Sequence, residues 1–326
     1  MSRDMLGRDG KTKYCMACNR AVADQFSHCP QDGTLLVESS LVSEEELIGT
    51  LTQRYELSGR IDSHNTINFL LSDRELNRKV VAKVLRLTAT FERDCERFER
   101  MAETLKKLNH PGIPKLIGQG NIREFPYLLL EFKEGQTLQA LVKDRGKMKV
   151  TDVCKIFIQV CATLRHAHDR SIFHQELTAK DIICKENKDQ KWEVAVIDFG
   201  KGKPLIHGDN RAQQLTEKGD IFGSAAVLAP EIFLGTQSVD ALSNIYSIGC
   251  IMYFAVSGKY PYQAPNWMAV LHKHANSMPA PIFSAGYKTN ADRKIEEVIL
   301  RAMSKERDKR FENLTSLSKA LQEVME

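Results

Sequence analysis

The sequence contains no run of apolar residues long enough to cross a lipid bilayer. A transmembrane helix needs about 18–20 consecutive apolar residues, and the longest apolar segment, IYSIGCIMYFAVSG at 245–258, is shorter and contains serine and glycine. The opening residues, MSRDMLGRDGKTKYC, also lack the apolar core of a secretory signal. These two absences predict a soluble, cytoplasmic protein in which 245–258 forms a buried helix.

An excess of charge of one sign is also missing. The sequence has 46 basic and 42 acidic residues, a net charge of +4, and both signs are mixed in segments such as FERDCERFERMAETLKKL. This mixture is typical of solvent-exposed helix faces, whereas a nucleic-acid-binding surface concentrates positive charge. Nucleic acid is therefore not an expected partner.

Internal repeats and low-complexity tracts are absent as well, which argues against a solenoid. Hydrophobic residues make up 42% of the 326 positions, enough for a large core. The composition predicts a flexible tail over 1–13, a compact cysteine-containing module over 14–36 and a linker over 37–52. One large globular domain is expected over 53–326.

Within this domain the sequence pattern changes near residue 133. The segments INFLLSD, KVVAKVL and PYLLLEF are rich in β-branched and apolar residues, which predicts strands over 53–133, interrupted by one amphipathic helix at about 90–108. Over 134–326 apolar residues recur at helical spacing. We therefore expect an α+β fold with a small strand-rich lobe followed by a large helical lobe.

Several short motifs follow one another along this domain: VVAKVL, LNHPGIPKLIG, YLLLEFKEG, VIDFGKGK, VLAPE and KERDKRF. In this order they resemble the motifs of eukaryotic-like (bacterial-type) Ser/Thr protein kinases, which implies the two-lobe kinase fold. The resemblance implies that Lys83 binds nucleotide phosphates and that Asp198, in the Asp-Phe-Gly motif, binds a metal ion. It also implies an ion pair between Arg310 and Glu231 of the Ala-Pro-Glu motif.

The resemblance further implies a site for ATP with Mg²⁺ or Mn²⁺. In HQELTAKD, the counterpart of the family's catalytic loop His-Arg-Asp-Leu-Lys-Pro-x-Asn, Glu176 takes the position of the catalytic base. Asp181 takes the position of the second metal ligand, and a carboxylate there would still suit Mg²⁺. The remaining nucleotide-binding positions implied by the family are Val81, Leu130, Glu131, Lys133 and Ile183.

The family's glycine-rich loop is absent. Its three glycine positions in RIDSHNTINFLL hold Asp62, His64 and Ile67. Glycine allows bare backbone to lie against phosphates, so side chains at these positions predict weak ATP binding. Val81 and Phe69 replace the alanine and valine that are usual in the family, and both are expected to narrow the nucleotide pocket.

Other positions that carry charge in the family have also changed. Met101 replaces the helix glutamate that orients the lysine, Thr178 replaces the lysine that neutralises the transferred phosphate, and Gln175 replaces an arginine. Glu176 keeps a carboxylate at the base position but is one methylene longer, and a displacement of about 1 Å can cost on the order of 10²-fold in rate. Asn244 replaces a buried aspartate and is expected to keep one hydrogen bond.

Three of the eight cysteines lie together near the start of the sequence. Cys15 and Cys18 have the Cys-x2-Cys spacing of a zinc knuckle, and Cys29 precedes Asp32 by the same spacing. Asp32 or His28 would complete the ligand set, because zinc accepts sulfur, nitrogen and oxygen donors. The segment resembles the short structural zinc ribbons at the front of some bacterial kinases and regulators. The other cysteines are expected to be buried core thiols: Cys95, Cys154, Cys161, Cys184 and Cys250.

Two functions are compatible with these motifs. The lost glycines, helix glutamate, catalytic lysine and catalytic aspartate favour a pseudokinase, a kinase fold that acts as a regulatory or scaffold module and binds protein partners. The alternative is a divergent but active Ser/Thr kinase that uses Lys83, Glu176, Asp181 and Asp198. A different transfer reaction, such as nucleotidylation, has no motif of its own in the sequence.

Overall fold

The computed structural model describes residues 12–15, 21–23, 25–34, 36–38, 49, 51, 54–62, 66–85, 91–122, 125–200, 225–236 and 239–326. Cys18 and His64, which the sequence analysis singled out, lie outside these residues. The chain divides into two compact units, the first comprising 1–102 and 116–132 and the second comprising 103–115 and 133–326.

The N-terminal module is a small antiparallel sheet. Its strands are β1 (Thr12–Cys15), β2 (Ala21–Ala23) and β3 (Leu36–Glu38), in the order β2-β1-β3. Among its described residues, those buried are Cys15, Val22, Ala23, Cys29 and Leu36. Two of these five residues, Cys15 and Cys29, are predicted zinc ligands, and both belong to the small buried cluster of the module.

A five-stranded antiparallel sheet forms the main part of the first unit. Its strands are β4 (Tyr55–Asp62), β5 (Thr66–Asp73), β6 (Arg78–Leu85), β7 (Leu116–Ile122) and β8 (Phe125–Glu131), in the order β4-β5-β6-β8-β7. The turn after β5 is closed by the buried carboxylate of Asp73, which accepts hydrogen bonds from the backbone N–H groups of Glu75 and Leu76 and from the guanidinium of Arg54.

The predicted amphipathic helix is α1 (Phe91–Lys106). Phe98, Met101, Ala102 and Leu105 are each at most 5% exposed. Their spacing of three, four and seven residues places them on one helix face. The apolar face of α1 therefore includes Met101.

In the described part of the second unit helical residues far outnumber strand residues, as the sequence pattern predicts. The α-helices there are α2 (Leu138–Arg145), α3 (Val150–His168), α4 (Pro230–Phe233), α5 (Ala241–Ser257), α6 (Trp267–Asn276), α7 (Asn290–Ala302) and α8 (Leu314–Met325). Helix α5 contains the segment expected to form a buried helix, and its residues from Ser243 to Val256 are buried. Among the described residues, none of the helices has the length and apolar character required to span a membrane.

A short sheet in this unit positions the catalytic-loop segment. Its strands are β9 (Gln136–Thr137), β10 (Ile182–Glu186) and β11 (Trp192–Val196), in the order β11-β10-β9. Because Ile182 pairs with Val196 in the antiparallel β10–β11 ladder, the residues just before β10 and just after β11 emerge at the same end of the hairpin. This geometry brings the HQELTAKD loop beside the Asp-Phe-Gly segment.

Candidate active site

Lys83 lies near the C-terminal end of β6 and is 8% exposed. It pairs with Asn68 on β5, and Val81 pairs with Leu130 on β8. Paired residues in antiparallel strands project to the same face of a sheet, and so do residues two apart on one strand. The register therefore places Lys83, Val81 and Leu130 on one face, as expected for residues that would line a common nucleotide site.

The prediction that Phe69 narrows this face is wrong. Phe69 pairs with Ala82, and both are fully buried in the apolar core on the opposite face of the sheet. The β5 residue that pairs with Val81 is Leu70, which the sequence analysis missed. The error arises because a shift of one residue along a strand moves every side chain to the other face.

The glycine-rich loop is absent in either alignment of β5 with the family motif. Ile67, assigned to the third glycine position, is 1% exposed and belongs to the same core as Phe69. If Leu70, in place of Phe69, is aligned with the family's usual valine, the three glycine positions move by one residue to Ser63, Asn65 and Asn68. Neither register contains a glycine.

The position of the family's helix glutamate faces the core. Met101 is 3% exposed and belongs to the buried apolar face of α1. Glu99, two positions earlier, is exposed. Two positions later, Glu103 accepts a hydrogen bond from Lys106 at 2.6 Å, and this interaction lowers the pKa of Glu103. Neither glutamate replaces the carboxylate at the position that Met101 occupies.

The segment after β8 carries the predicted hinge residues. Glu131, the last residue of β8, pairs with Val80 and is half-buried. The ammonium of Lys133 donates a hydrogen bond to the carbonyl oxygen of Pro111 at 2.9 Å, so one role of this side chain is to tie the hinge to the LNHPG turn. Gly135 has φ +131°, and a Cβ there would lie 2.4 Å from the carbonyl oxygen of Cys184 on β10.

The start of the catalytic-loop segment is held by Asn244 of α5. The Oδ1 atom of Asn244 accepts from the backbone N–H of His174 at 3.1 Å, and its Nδ2 donates to the carbonyl oxygen of His174 at 2.8 Å. The same Oδ1 lies 3.0 Å from Nε2 of His168. Asn244 therefore makes three contacts where one was expected, because an amide carries both a donor and an acceptor. Burial lowers the pKa of His168, and the contact with Asn244 opposes that shift.

The ring of His174 connects this loop to the Asp-Phe-Gly segment. Its Nε2 lies 2.9 Å from the carbonyl oxygen of Ile197, and its ring meets the edge of Phe199 with a centroid distance of 5.0 Å. His174 is 2% exposed and Phe199 is fully buried. The packing residues of the two segments thus form one continuous contact.

Asp181 ends the loop with its carboxylate turned towards Thr178. Its Oδ2 accepts from the backbone N–H of Thr178 and from the Thr178 hydroxyl, both at 2.8 Å. This pair was not predicted from the sequence, although Thr-x-x-Asp is a recognised local capping pattern. The backbone carbonyl of Asp181 accepts from the N–H of Ile197 at 2.8 Å, which places Asp181 beside the residue that precedes Asp198.

Asp198 has a left-handed backbone conformation, with φ +64°. Positive φ is uncommon in residues other than glycine, and residues held in such conformations cluster at functional sites. Asp198 and Glu176 are both half-buried. Ile183, the remaining predicted nucleotide-pocket residue, lies on β10 and pairs with Thr137 and Ala195.

The predicted ion pair between Glu231 and Arg310 is present. The guanidinium of Arg310 donates to both carboxylate oxygens of Glu231, at 2.7 and 2.8 Å, and Arg310 is 2% exposed. Arg307 adds a further contact to Glu231 at 2.8 Å. Burial disfavours the charged carboxylate, but the hydrogen bonds and charge of Arg310 outweigh this effect and hold the pKa of Glu231 below its ordinary value.

Three of the predicted metal ligands come together in the N-terminal module. One ligand atom each from Cys15, Cys29 and Asp32 lies within 4.8 Å of the other two. The Sγ atom of Cys15 is 3.3 and 3.4 Å from the two carboxylate oxygens of Asp32. Ligands of a tetrahedral zinc ion, at about 2.0–2.3 Å from the metal, are separated by about 3.5–3.8 Å. The donor types therefore suit zinc, and the contact between Cys15 and Asp32 is slightly shorter than this separation.

In the loop around Cys29, two backbone N–H groups contact predicted metal ligands. The N–H of Gln31 points to the Sγ atom of Cys29 at 3.4 Å, and the N–H of Thr34 donates to Asp32 at 3.0 Å. Such contacts orient metal ligands. His28 is exposed, contacts Ser27 and is not part of the cluster, so the geometry favours Asp32 over His28 as a ligand.

Of the five cysteines outside this module, four are buried as expected, whereas the prediction of a buried core thiol is wrong for Cys95. Cys154, Cys161, Cys184 and Cys250 are each at most 3% exposed, and burial raises the pKa of each thiol to about 12. Cys95 on α1 is half-buried. The four buried thiols are therefore protonated and unreactive near neutral pH.

Comparison with known proteins agrees with this geometry. The sequence model of the protein kinase domain matches residues 67–324. The chain is 30% identical to the serine/threonine-protein kinase PknB of Mycolicibacterium smegmatis over 285 residues, which cover 85% of this chain and 44% of that protein. It is 29% identical to PknB of Mycobacterium tuberculosis over 276 residues, which cover 82% of this chain and 42% of that protein. A probable serine/threonine-protein kinase of Corynebacterium efficiens is 28% identical over 280 residues, which cover 83% of this chain and 41% of that protein. The chain thus spans less than half the length of these curated relatives.

Proposed function

The chain belongs to the protein kinase domain family, and from this premise we propose that it is a pseudokinase, a regulatory or scaffold module with weak or no phosphotransfer activity. Its strand-rich and helical units correspond to the two lobes of the kinase fold. The proposed partners are other proteins, with no role for nucleic acid. Because the matched relatives are more than twice as long, the proposal concerns this kinase-like domain alone.

The observation that carries the proposal is the buried Met101 on α1. Phosphoryl transfer depends on clamped phosphates, bound metal and neutralised charge, with little covalent chemistry from the protein. A thioether at this helix position cannot form the ion pair that orients Lys83 in active kinases. Thr178 supplies no positive charge to the transferred phosphate, and no glycine is available to cover the phosphates.

The alternative function is an active Ser/Thr kinase that uses Lys83, Glu176, Asp181 and Asp198 with ATP and Mg²⁺ or Mn²⁺. One observation favours it: Asp198 keeps a strained left-handed conformation, and such strain is often retained for function. If a nucleotide binds, Lys83 would contact its phosphates and Asp198 would hold the metal ion that neutralises their charge. Glu176 would accept the proton of the substrate hydroxyl.

Thermal unfolding in the presence of ATP, with and without Mg²⁺ or Mn²⁺, tests nucleotide binding. A ligand at 100 times its dissociation constant that binds only the folded state adds about 2.7 kcal/mol of stability. We expect no metal-dependent shift up to millimolar ATP, with Lys83→Ala as the matched control. Phosphate incorporation by the wild type above that of Asp198→Asn would establish the active-kinase alternative and overturn the pseudokinase proposal.

We also propose that the N-terminal module holds one structural zinc ion. Cys15, Cys18, Cys29 and Asp32 would be its ligands, in a closed four-ligand site with no position left for a substrate. The convergence of Cys15, Cys29 and Asp32 supports this assignment. The small size of the module, predicted to span 14–36, supports it too, since domains below about 40 residues usually need a metal or disulfides to fold.

Metal analysis of protein purified without added zinc tests the site. We expect about one zinc ion per chain, lost in the Cys15→Ser/Cys18→Ser double variant. His28→Ala should retain the metal and Asp32→Ala should bind it more weakly, because Asp32 is the residue that lies with the cysteines. Full zinc content in the double cysteine variant would show that the ligands are different residues.

A further inference from the structure

The end of the catalytic-loop segment is closed by hydrogen bonds between Thr178 and Asp181. Oδ2 of Asp181 accepts from the N–H and the hydroxyl of Thr178, both at 2.8 Å. The Thr178 hydroxyl oxygen accepts from the N–H of Lys180 at 3.2 Å, and the N–H of Asp181 donates to the carbonyl of Thr178 at 3.1 Å. These four hydrogen bonds define the Thr178–Asp181 turn.

Burial makes these side-chain bonds necessary. Thr178 is 9% exposed and Asp181 is 7% exposed. A carboxylate removed from water needs hydrogen-bond donors, and a buried N–H or O–H left without an acceptor costs as much as its lost hydration. The hydroxyl of Thr178 donates to one group and accepts from another, so its removal breaks two bonds of the turn.

The turn is also fixed at its backbone by two neighbouring elements. The carbonyl oxygen of Ala179 accepts from the N–H of Gln139 on α2 at 3.1 Å, and that of Asp181 accepts from the N–H of Ile197 at 2.8 Å. The main chain is thus held on both sides of the turn. A rotation of the Asp181 side chain towards another partner would therefore leave the donors of Thr178 in place without their acceptor.

We propose that Asp181 is a positioning residue. Its carboxylate, acting through Thr178, holds the Thr178–Asp181 turn at the end of the catalytic loop in its hydrogen-bonded conformation without metal or nucleotide. This inference rests on the proposed function, because the kinase-like interpretation is what identifies residues 174–181 as the counterpart of the catalytic loop. A metal ion that recruited Oδ2 of Asp181 would have to displace two donors from a buried site. The bonds to Thr178 therefore oppose metal binding through this oxygen, which suits a binding module better than a metal-dependent catalyst.

Amide hydrogen exchange, resolved by residue with NMR on the full chain, tests this inference. Thr178→Val removes the hydroxyl at nearly constant shape, whereas Thr178→Ser keeps it. We expect the Lys180 amide to exchange about 3- to 10-fold faster in the valine variant, the loss expected for one partly buried hydrogen bond, and at nearly the wild-type rate in the serine variant. The Ile197 amide, bonded to the backbone of Asp181, is the internal control and should stay protected in both.

A second pair of variants addresses Asp181 itself. In Asp181→Ala the Thr178 amide should lose protection, whereas Asp181→Asn should retain it because the amide oxygen accepts the same two bonds. Equal exchange in the valine and serine variants, or in the alanine and asparagine variants, would overturn the inference. So would faster exchange of the wild-type Thr178 amide on addition of Mn²⁺ and ATP, since Asp181 would then have turned to the metal. None of these readouts measures phosphotransfer, so they can fail independently of the proposed function.

Discussion

The buried ion pair between Arg310 and Glu231 allows a stability prediction with a defined magnitude. Arg310 donates to both oxygens of Glu231 and to the carbonyls of Ser304, Leu242 and Lys305. Arg310→Met removes all of these bonds and leaves a buried carboxylate with Arg307 as its remaining guanidinium contact. Breaking a buried pair from one side costs about 3–5 kcal/mol. At roughly 2 °C per kcal/mol for a chain of this size, the unfolding midpoint should fall by about 6–10 °C.

Urea and thermal unfolding of four proteins measure this effect. Lys309→Met is the matched control, because Lys309 is three residues from Glu306 in an exposed pair at 2.6 Å and its loss should leave the midpoint nearly unchanged. In Glu231→Gln/Arg310→Met the uncompensated charge is absent, so the double variant should be more stable than Arg310→Met alone. A midpoint for Arg310→Met equal to that of Lys309→Met would refute the reasoning.

Three further predictions use other buried positions. Burial lowers the pKa of His274 on α6 to about 3. As the pH falls, the unfolded chain therefore binds a proton at this side chain before the folded chain does. The free energy of unfolding should then decrease between about pH 6.5 and pH 3, by up to about 1.4 kcal/mol per pH unit. His274→Asn should flatten this dependence in urea unfolding, and an unchanged slope would contradict the assignment. Gly135→Ala should destabilise more than Gly146→Ala, since only the first meets backbone within 4 Å; equal unfolding midpoints would contradict this difference. Phe69→Val should cost on the order of 2–3 kcal/mol of stability and leave any ATP-dependent shift unchanged; restored ATP binding would contradict its place in the core.

The secondary structure could be predicted where one face of an element is apolar. The amphipathic helix predicted at about 90–108 is present as α1, and its buried face contains Phe98, Met101 and Leu105. Strand β5 was identified for the same reason, but its register was not. The run Phe69-Leu70-Leu71 is apolar on both faces, so hydrophobicity alone cannot say which residue faces the core. The pairing with β6 decides it.

The site residues could be predicted where the family resemblance fixes both partners, as with Glu231 and Arg310. The resemblance did not predict the geometry of residues that depart from the family. The three contacts of Asn244 depend on an amide orientation that α5 sets beside His174. The bonds between Thr178 and Asp181 depend on a loop shape that the β10–β11 hairpin imposes.

These departures follow one physical rule. Most buried polar groups in proteins are paired, whether or not the protein transfers phosphate. Where the family has a lysine and a metal-binding asparagine, Thr178 and Asp181 satisfy each other. Where it has a buried aspartate, Asn244 supplies its own donor. Local hydrogen bonds can therefore preserve the shape of the loop after the charges needed for phosphate chemistry have changed. For this reason the kinase fold of the chain is weak evidence for activity, and the decision rests on ATP binding and phosphate incorporation.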